Sequence, residues 1–131
     1  MRLASSILAS SILTFVFAAA SARAADVAAG EKVFQKCMQC HRVGVGATNF
    51  YGPVLNGLIG RKAGTVPGYK YSHALEASGI VWERDTLSKY LKEPRHAVPG
   101  VAMTFPGLKS QTEIDDVIAY LAEFRRDGGK D

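Results

Sequence analysis

Cys37-Met38-Gln39-Cys40-His41 is the stretch on which the reading of this chain turns. Two cysteines three positions apart, followed at once by histidine, form the attachment pattern for a c-type haem. The spacing has a physical reason. Two thiols at a helix end can each add to one vinyl group of a porphyrin, and the next residue is then placed beneath the ring to ligate iron through a nitrogen. A redox dithiol of the thioredoxin kind needs a βαβ setting, and a zinc half-site needs two further clustered ligands. The sequence offers neither. His41 is therefore the expected proximal ligand, with Cys37 and Cys40 as the covalent anchors.

The opposite face of the iron is narrowed by elimination. The three methionines are Met1, Met38 and Met103. Met1 lies in an expected leader and Met38 sits between the two cysteines, which leaves Met103 as the distal ligand. It is flanked by Pro99-Gly100 and Phe105-Pro106-Gly107, turns suited to presenting a sulfur. Alone, a loop methionine would be a gap-filler in the core. His73 and His96 would ligate only if Met103 does not. A ligating histidine usually donates its second ring N–H to a carbonyl, and Pro53 in Tyr51-Gly52-Pro53 is the expected acceptor.

Outward from the motif, Val27 to Cys40 reads as helical, with Gly30 and Phe34 on one face. A glycine inside a helix costs about 1 kcal/mol relative to alanine, so Gly30 points to a close helix–helix approach. From Val43 to Gly79 the density of Gly and Pro predicts a long loop without a regular element. That loop also carries Phe50, Tyr51, Leu55, Leu58, Ile59, Tyr69 and Tyr71, a composition suited to wrapping a large apolar ligand. A second helix is expected from about Asp85 to Glu93, stopped by Pro94. A last helix carries the stripe Ile114, Val117, Ile118, Leu121 and Phe124. Its start has two equivalent registers, Ser110 with Glu113 or Thr112 with Asp115. Arg125 and Arg126 are expected at its C-terminal end, where positive charge suits the helix dipole. The fold class is all-α, few helices with long loops.

The chain has 131 residues, 47% hydrophobic and 21% charged, which suits one domain. Arg2, the uncharged stretch Ile7–Ala20 and the small residues of Ala22-Arg23-Ala24 predict an export leader over 1–24, cut before Ala25. Removing 24 residues from 131 leaves 107, a single domain over 25–131. Without Arg2 and Arg23, fourteen basic residues face twelve acidic ones, a net +2. That balance excludes a nucleic-acid-binding composition and suits docking on acidic protein surfaces. A domain of this size has a modest core, and two cysteines only three positions apart provide no disulfide framework, so a bound apolar cofactor has a structural part to play.

With these residues in view, the chain resembles the class I cytochromes c of the mitochondrial-like, short soluble bacterial type. The similarity runs from Gly30 to about Phe124. It rests on C-M-Q-C-H, the run Gly52 to Gly64, P-G-Y-K-Y-S from Pro67, the Trp82 region, L-S-K-Y-L-K-E-P, and P-G-V-A-M-T-F-P-G. The resemblance implies one covalent haem c per chain with His41 and Met103 as axial ligands. It also implies that Arg61, Tyr71 and Trp82 hydrogen-bond around the haem propionates, with Tyr90 near the methionine sulfur. Gly30 and Phe34 would pack on Tyr120 and Leu121, and Lys36, Arg95 and Lys109 would ring the haem edge. The sequence departs from the family at Val101 and Ala102, where threonine and lysine are frequent, and at Leu75, where asparagine is common. The implied activity is one-electron transfer rather than catalysis, by a periplasmic monomer shuttling between membrane-associated redox complexes or dehydrogenases and oxidases. A haem enzyme or gas sensor, with Met103 weakly bound or displaced to leave an open site, and a fixed electron-transfer subunit of a larger membrane complex are the competing classes.

Overall fold

The structure, a computed structural model, describes residues 23–131, so residues 1–22 of the expected leader lie outside the described residues. Five α-helices follow one another: α1 (Val27–Phe34), α2 (His73–Ala77), α3 (Arg84–Lys92), α4 (Pro94–Ala97) and α5 (Gln111–Ala122). Pairing of the β kind among the described residues is limited to the isolated bridges Lys62–Val81 and Phe124–Lys130. No helix among these residues is long and apolar enough to cross a membrane.

The centre of the fold is the crossing of α1 and α5. Asp26 caps α1 by accepting from the Ala29 N–H at 3.0 Å, and Gly30, Val33 and Phe34 form the buried face. A Cβ on Gly30 would lie 1.9 Å from the Asp116 carbonyl oxygen and 2.9 Å from Tyr120 Cβ, so only glycine lets the two backbones approach this closely. One turn on, Phe34 meets Tyr120 with ring centroids 5.5 Å apart. The expected stripe on α5 is buried throughout, Ile114, Val117, Ile118 and Leu121, with Phe124 just past the helix end. Leu87, Tyr90 and Leu91 of α3 close the core from the other side. Full burial of one such apolar side chain is worth roughly 1.5–3 kcal/mol.

Several local expectations are corrected. The α-helical bonding of α1 ends at Phe34 rather than Cys40. Beyond it the chain continues in turns of mixed bonding, with i→i+3 bonds from Lys36 N–H to Val33 O at 3.0 Å and Cys37 N–H to Phe34 O at 2.7 Å beside i→i+4 bonds such as Met38 N–H to Phe34 O at 3.2 Å, a tightening common at helix C-termini. The Val43–Gly79 segment is not wholly irregular. It contains α2, because Ser72 accepts from the Leu75 N–H at 3.3 Å and five glycine-free residues follow, burying Leu75. Helix α3, Arg84–Lys92, does end before Pro94 as expected, but Pro94 also starts α4 as its first residue, where a missing N–H costs nothing. At the start of α5 Ser110 takes the cap by accepting from the Glu113 N–H at 3.3 Å, which decides between the two registers. Arg125 and Arg126 lie past the end of α5 at Ala122. Arg125 instead holds the chain terminus, bonding the Lys130 carbonyl at 2.8 Å and Asp131 at 3.0 Å.

Candidate haem site

The turn after α1 sets out Cys37, half-buried, and Cys40, exposed. The His41 N–H donates to the Cys37 carbonyl at 2.9 Å, which fixes the histidine at the end of that turn. The loop that follows is laced back onto it. The Gly52 N–H donates to Cys40 O at 2.8 Å and the Leu55 N–H to Arg42 O at 3.0 Å. Arg42 caps the turn from outside, donating to the carbonyls of Met38 and His41 while its guanidinium lies 4.3 Å from the centre of the Phe50 ring.

This lacing carries the Pro53 carbonyl to 2.8 Å from His41 Nδ1. A carbonyl only accepts, so Nδ1 holds the proton and Nε2 keeps its lone pair. Gly52 makes the approach possible, since a Cβ there would fall 2.5 Å from one carbon of the His41 ring. Burial pushes the His41 pKa down, against the opposing Pro53 hydrogen bond and helped by Arg42 and Arg61. The imidazole is thus neutral at pH 7, the form that binds a metal. Burial also pushes the Cys37 thiol up to about 11, with Lys36 opposing and Cys40 adding to the rise.

Met103 lies in the long connection from α4 to α5, which is tied at both ends. The Val101 N–H donates to Val98 O at 3.1 Å and the Leu108 N–H to Leu91 O at 2.8 Å. The Met103 side chain packs against the core, with partly buried Val101 and Phe105 nearby in the chain. The Tyr90 hydroxyl donates to Met103 Sδ at 3.6 Å. Burial pushes the Tyr90 pKa up to about 12, with Tyr69 adding to the rise, so that donor keeps its proton at neutral pH. Trp82, buried, backs Tyr90 with ring centroids 4.9 Å apart.

A third group gathers around Arg61. Its guanidinium donates to Asn56 O at 2.8 Å and Val54 O at 3.3 Å. A guanidinium has five N–H groups, so the remaining ones can meet an anion. Burial lowers the Arg61 pKa while Tyr71 raises it. The Tyr71 hydroxyl accepts from the Val66 N–H at 3.1 Å and retains its own proton to donate. Arg61 and Tyr71 together suit a carboxylate half-shielded from water.

Two asparagines that the sequence reading passed over hold this region together. Asn56, buried, bonds both the N–H and the carbonyl of Gly44, at 2.8 and 2.9 Å. Asn49 accepts from the Val54 N–H at 2.9 Å and donates to Pro67 O at 3.0 Å. Their side chains make bonds to distant backbone, and nothing in a local pattern marks that. Of the basic residues expected at the haem edge, Arg95 and Lys109 are exposed, whereas Lys36 is tied to Glu113 at 2.7 Å. His73 and His96 are both exposed, and His96 faces Glu93 at 3.7 Å.

The donor set fits a haem c. It offers two thiols in the attachment spacing, a neutral imidazole with one committed nitrogen, and a thioether held by a hydroxyl. An Arg–Tyr pair is also there to receive carboxylates. Partly buried Leu55, Tyr71, Ala74, Ile80, Met103 and Phe105 supply apolar surface. Comparison with known proteins agrees. The family model Cytochrome c matches residues 27–124. The chain is similar to cytochrome c2 of Blastochloris viridis, 47% identical over 118 residues, covering 88% of this chain and 93% of that one. It is also similar to a cytochrome c2 of Rhodoplanes tepidamans, 51% identical over 105 residues, covering 80% and 98%. Among solved structures, cytochrome cH from Methylobacterium extorquens matches with a TM-score of 0.70 at 44% identity, over 74% of this chain and 97% of that one. Motif, fold and near-full-length relatives coincide on one span, and the chain belongs to the cytochrome c family, as an electron carrier with one covalently attached haem c and not an enzyme.

Proposed function

We propose that His41 and Met103 are the axial ligands of the haem iron, that Cys37 and Cys40 carry its thioether links, and that the protein shuttles single electrons between larger redox proteins in the periplasm. The observation that carries this reading is the 2.8 Å contact between His41 Nδ1 and the Pro53 carbonyl. It commits one ring nitrogen as a donor, holds the ring in one orientation and raises the basicity of the other nitrogen. When bound, the haem supplies reversible one-electron chemistry without making or breaking substrate bonds.

The chain's own residues do the rest. Tyr90 orients the Met103 thioether through its hydroxyl, and a thioether ligand raises the potential relative to a second histidine. Arg61, Tyr71 and Trp82 surround the propionates, where a positive guanidinium offsets two negative charges. Arg95 and Lys109 present exposed positive charge to an acidic partner surface. Lys36 adds less, because Glu113 neutralises it. Cleavage before Ala25 releases a monomeric domain on the far side of the inner membrane.

The test is the absorption spectrum of protein matured in an exporting host, oxidised, reduced, and reduced under carbon monoxide. A low-spin spectrum unmoved by the gas, together with a Met103→Ala variant that binds it, is the expected result. A wild-type protein that binds the gas would give first place to the open-site reading, and a Met103→Ala spectrum identical to wild type would remove Met103. Reduction rates with an acidic redox protein should fall as salt rises. Rates that are flat with salt would remove the steering.

A further inference from the structure

One ion pair outside the oxidation–reduction site joins the α1–α5 crossing to the segment before α1. Asp116 of α5 is a carboxylate in the α1–α5 crossing, its side chain 4% exposed. It accepts from the Asp26 N–H at 2.7 Å and from the Arg23 guanidinium at 3.0 and 3.4 Å. These partners hold its pKa below the usual carboxylate range, the Asp26 amide first and the Arg23 hydrogen bond next. Arg23 belongs to the segment that the expected cleavage removes. If cleavage simply deleted that guanidinium, the carboxylate would lose its only cationic hydrogen-bond partner among the described residues and keep the Asp26 amide alone.

We infer that Asp116 is a binding site for the protein's own mature N-terminus, with the Ala25 α-ammonium taking the place of the Arg23 guanidinium. This rests on the cleavage reading given above. Water adds across the Ala24–Ala25 peptide bond, leaving a carboxylate on departing Ala24 and an amine on Ala25 that takes up a proton. One positive charge leaves with Arg23 and one is created at Ala25. The new ammonium is adjacent in the chain to the Asp26 amide already on Asp116, and neighbouring residues are about 3.8 Å apart. Its three N–H groups can serve the carboxylate oxygen that the second Arg23 nitrogen contacts at 3.4 Å. The same carboxylate therefore ties down the start of α1 before and after processing, with a different cation each time.

Asp26 and Asp115 are the other acidic groups near this cation, so the test isolates Asp116 by substitution. The holoprotein is purified from an exporting host and its intact mass measured. The rate of N-terminal acylation is then followed against pH in wild type and in Asp116→Asn, which keeps an acceptor for the Asp26 amide and loses the charge. An ammonium paired with Asp116 titrates higher. A difference of half a pH unit in midpoint slows acylation about threefold below it, so wild type should react about threefold or more slowly than Asp116→Asn near pH 7. Should Asp116→Asn give no folded holoprotein, one glycine inserted between Ala25 and Asp26 moves the amine away and should speed acylation equally. A mass that does not begin at Ala25 overturns the cleavage reading and this inference together. A mass beginning at Ala25, with acylation profiles that coincide between wild type and the variant, overturns this inference alone.

Discussion

Replacing Gly30 by alanine adds one methyl group at the point where α1 and α5 come closest. The added Cβ would lie 1.9 Å from the Asp116 carbonyl oxygen and 2.5 Å from its carbon, both backbone atoms that no rotamer change can move. Ordinary contact begins at 3.4 Å, so the helices must part locally by 3.4 less 1.9, or 1.5 Å. A gap of 0.5–1 Å already forfeits a quarter to a half of a dispersion contact, and the Phe34–Tyr120 pair is one turn away. Overpacking of this kind costs about 3 kcal/mol, the upper end of the usual range. Alanine returns about 1 kcal/mol through its better helix propensity. The net loss is about 2 kcal/mol, roughly a thirtyfold fall in the folding constant, and a drop in Tm of about 8–16 °C for a domain near 100 residues. Denaturant unfolding of the holoprotein, followed by far-ultraviolet circular dichroism, should show a lower midpoint with an unchanged slope, and Gly30→Val should fall further. A Gly30→Ala protein as stable as wild type would mean that the helices are not in contact at this point.

Three further outcomes are expected. Gly52→Ala places a Cβ 2.5–2.9 Å from three atoms of the His41 ring; the imidazole should turn away from Pro53, seen as a lower yield of low-spin holoprotein, and a normal spectrum and yield would count against the lacing. Asn56→Ala removes both bonds to Gly44, leaving its N–H unpaired while its carbonyl keeps the Ala47 N–H at 3.1 Å; stability should drop by about 1–3 kcal/mol, and a loss under about 0.5 kcal/mol in denaturant unfolding would contradict this. Tyr90 is held protonated by burial, up to about 12 against an ordinary 10; the unfolded chain ionises first, so its contribution is complete below pH 10 and is lost as pH rises towards 12. The difference in stability between wild type and Tyr90→Phe should therefore shrink from pH 10 to 12, and two parallel curves would refute the assignment.

What was legible in the sequence follows from what each signal depends on. The covalent spacing of Cys37, Cys40 and His41 is written in the chain itself, and the α5 stripe repeats at a period that only a helix satisfies. Pro53 was legible because a ligating histidine needs an acceptor and few carbonyls lie within reach of a short loop. The end of α1 at Phe34 was not, since a change from about 3.6 to about 3.0 residues per turn over so few residues leaves no readable shift in the side-chain pattern. Helix α2 was hidden by the glycines on either side of it, although Ser72 is an ordinary cap. Asn49 and Asn56 were missed for a different reason. Their bonds reach backbone groups 5 to 18 positions away, and such partners exist only once the loop has closed.

Those long-range bonds explain how so few helices hold the site in place. The proximal side has no helix beyond Phe34, yet His41 is gripped by the Cys37 carbonyl along its backbone and by Pro53 at its ring. The Pro53 carbonyl is in turn positioned by the Gly52 amide on Cys40 and the Val54 amide on Asn49. The distal side repeats the device with other parts. The Met103 loop is anchored by amides at Val101 and Leu108, and its sulfur is held by a hydroxyl from α3. On the distal side α3 supplies the anchor, through the Leu91 carbonyl and the Tyr90 hydroxyl; on the proximal side the turn after α1 supplies it, and backbone amides of the loop make the adjustment on both. Side-chain substitution outside these contacts should therefore tune the site while leaving its geometry intact. The departures at Val101 and Ala102 fall in this class, because the bond that anchors the loop start at Val101 is made by its backbone N–H.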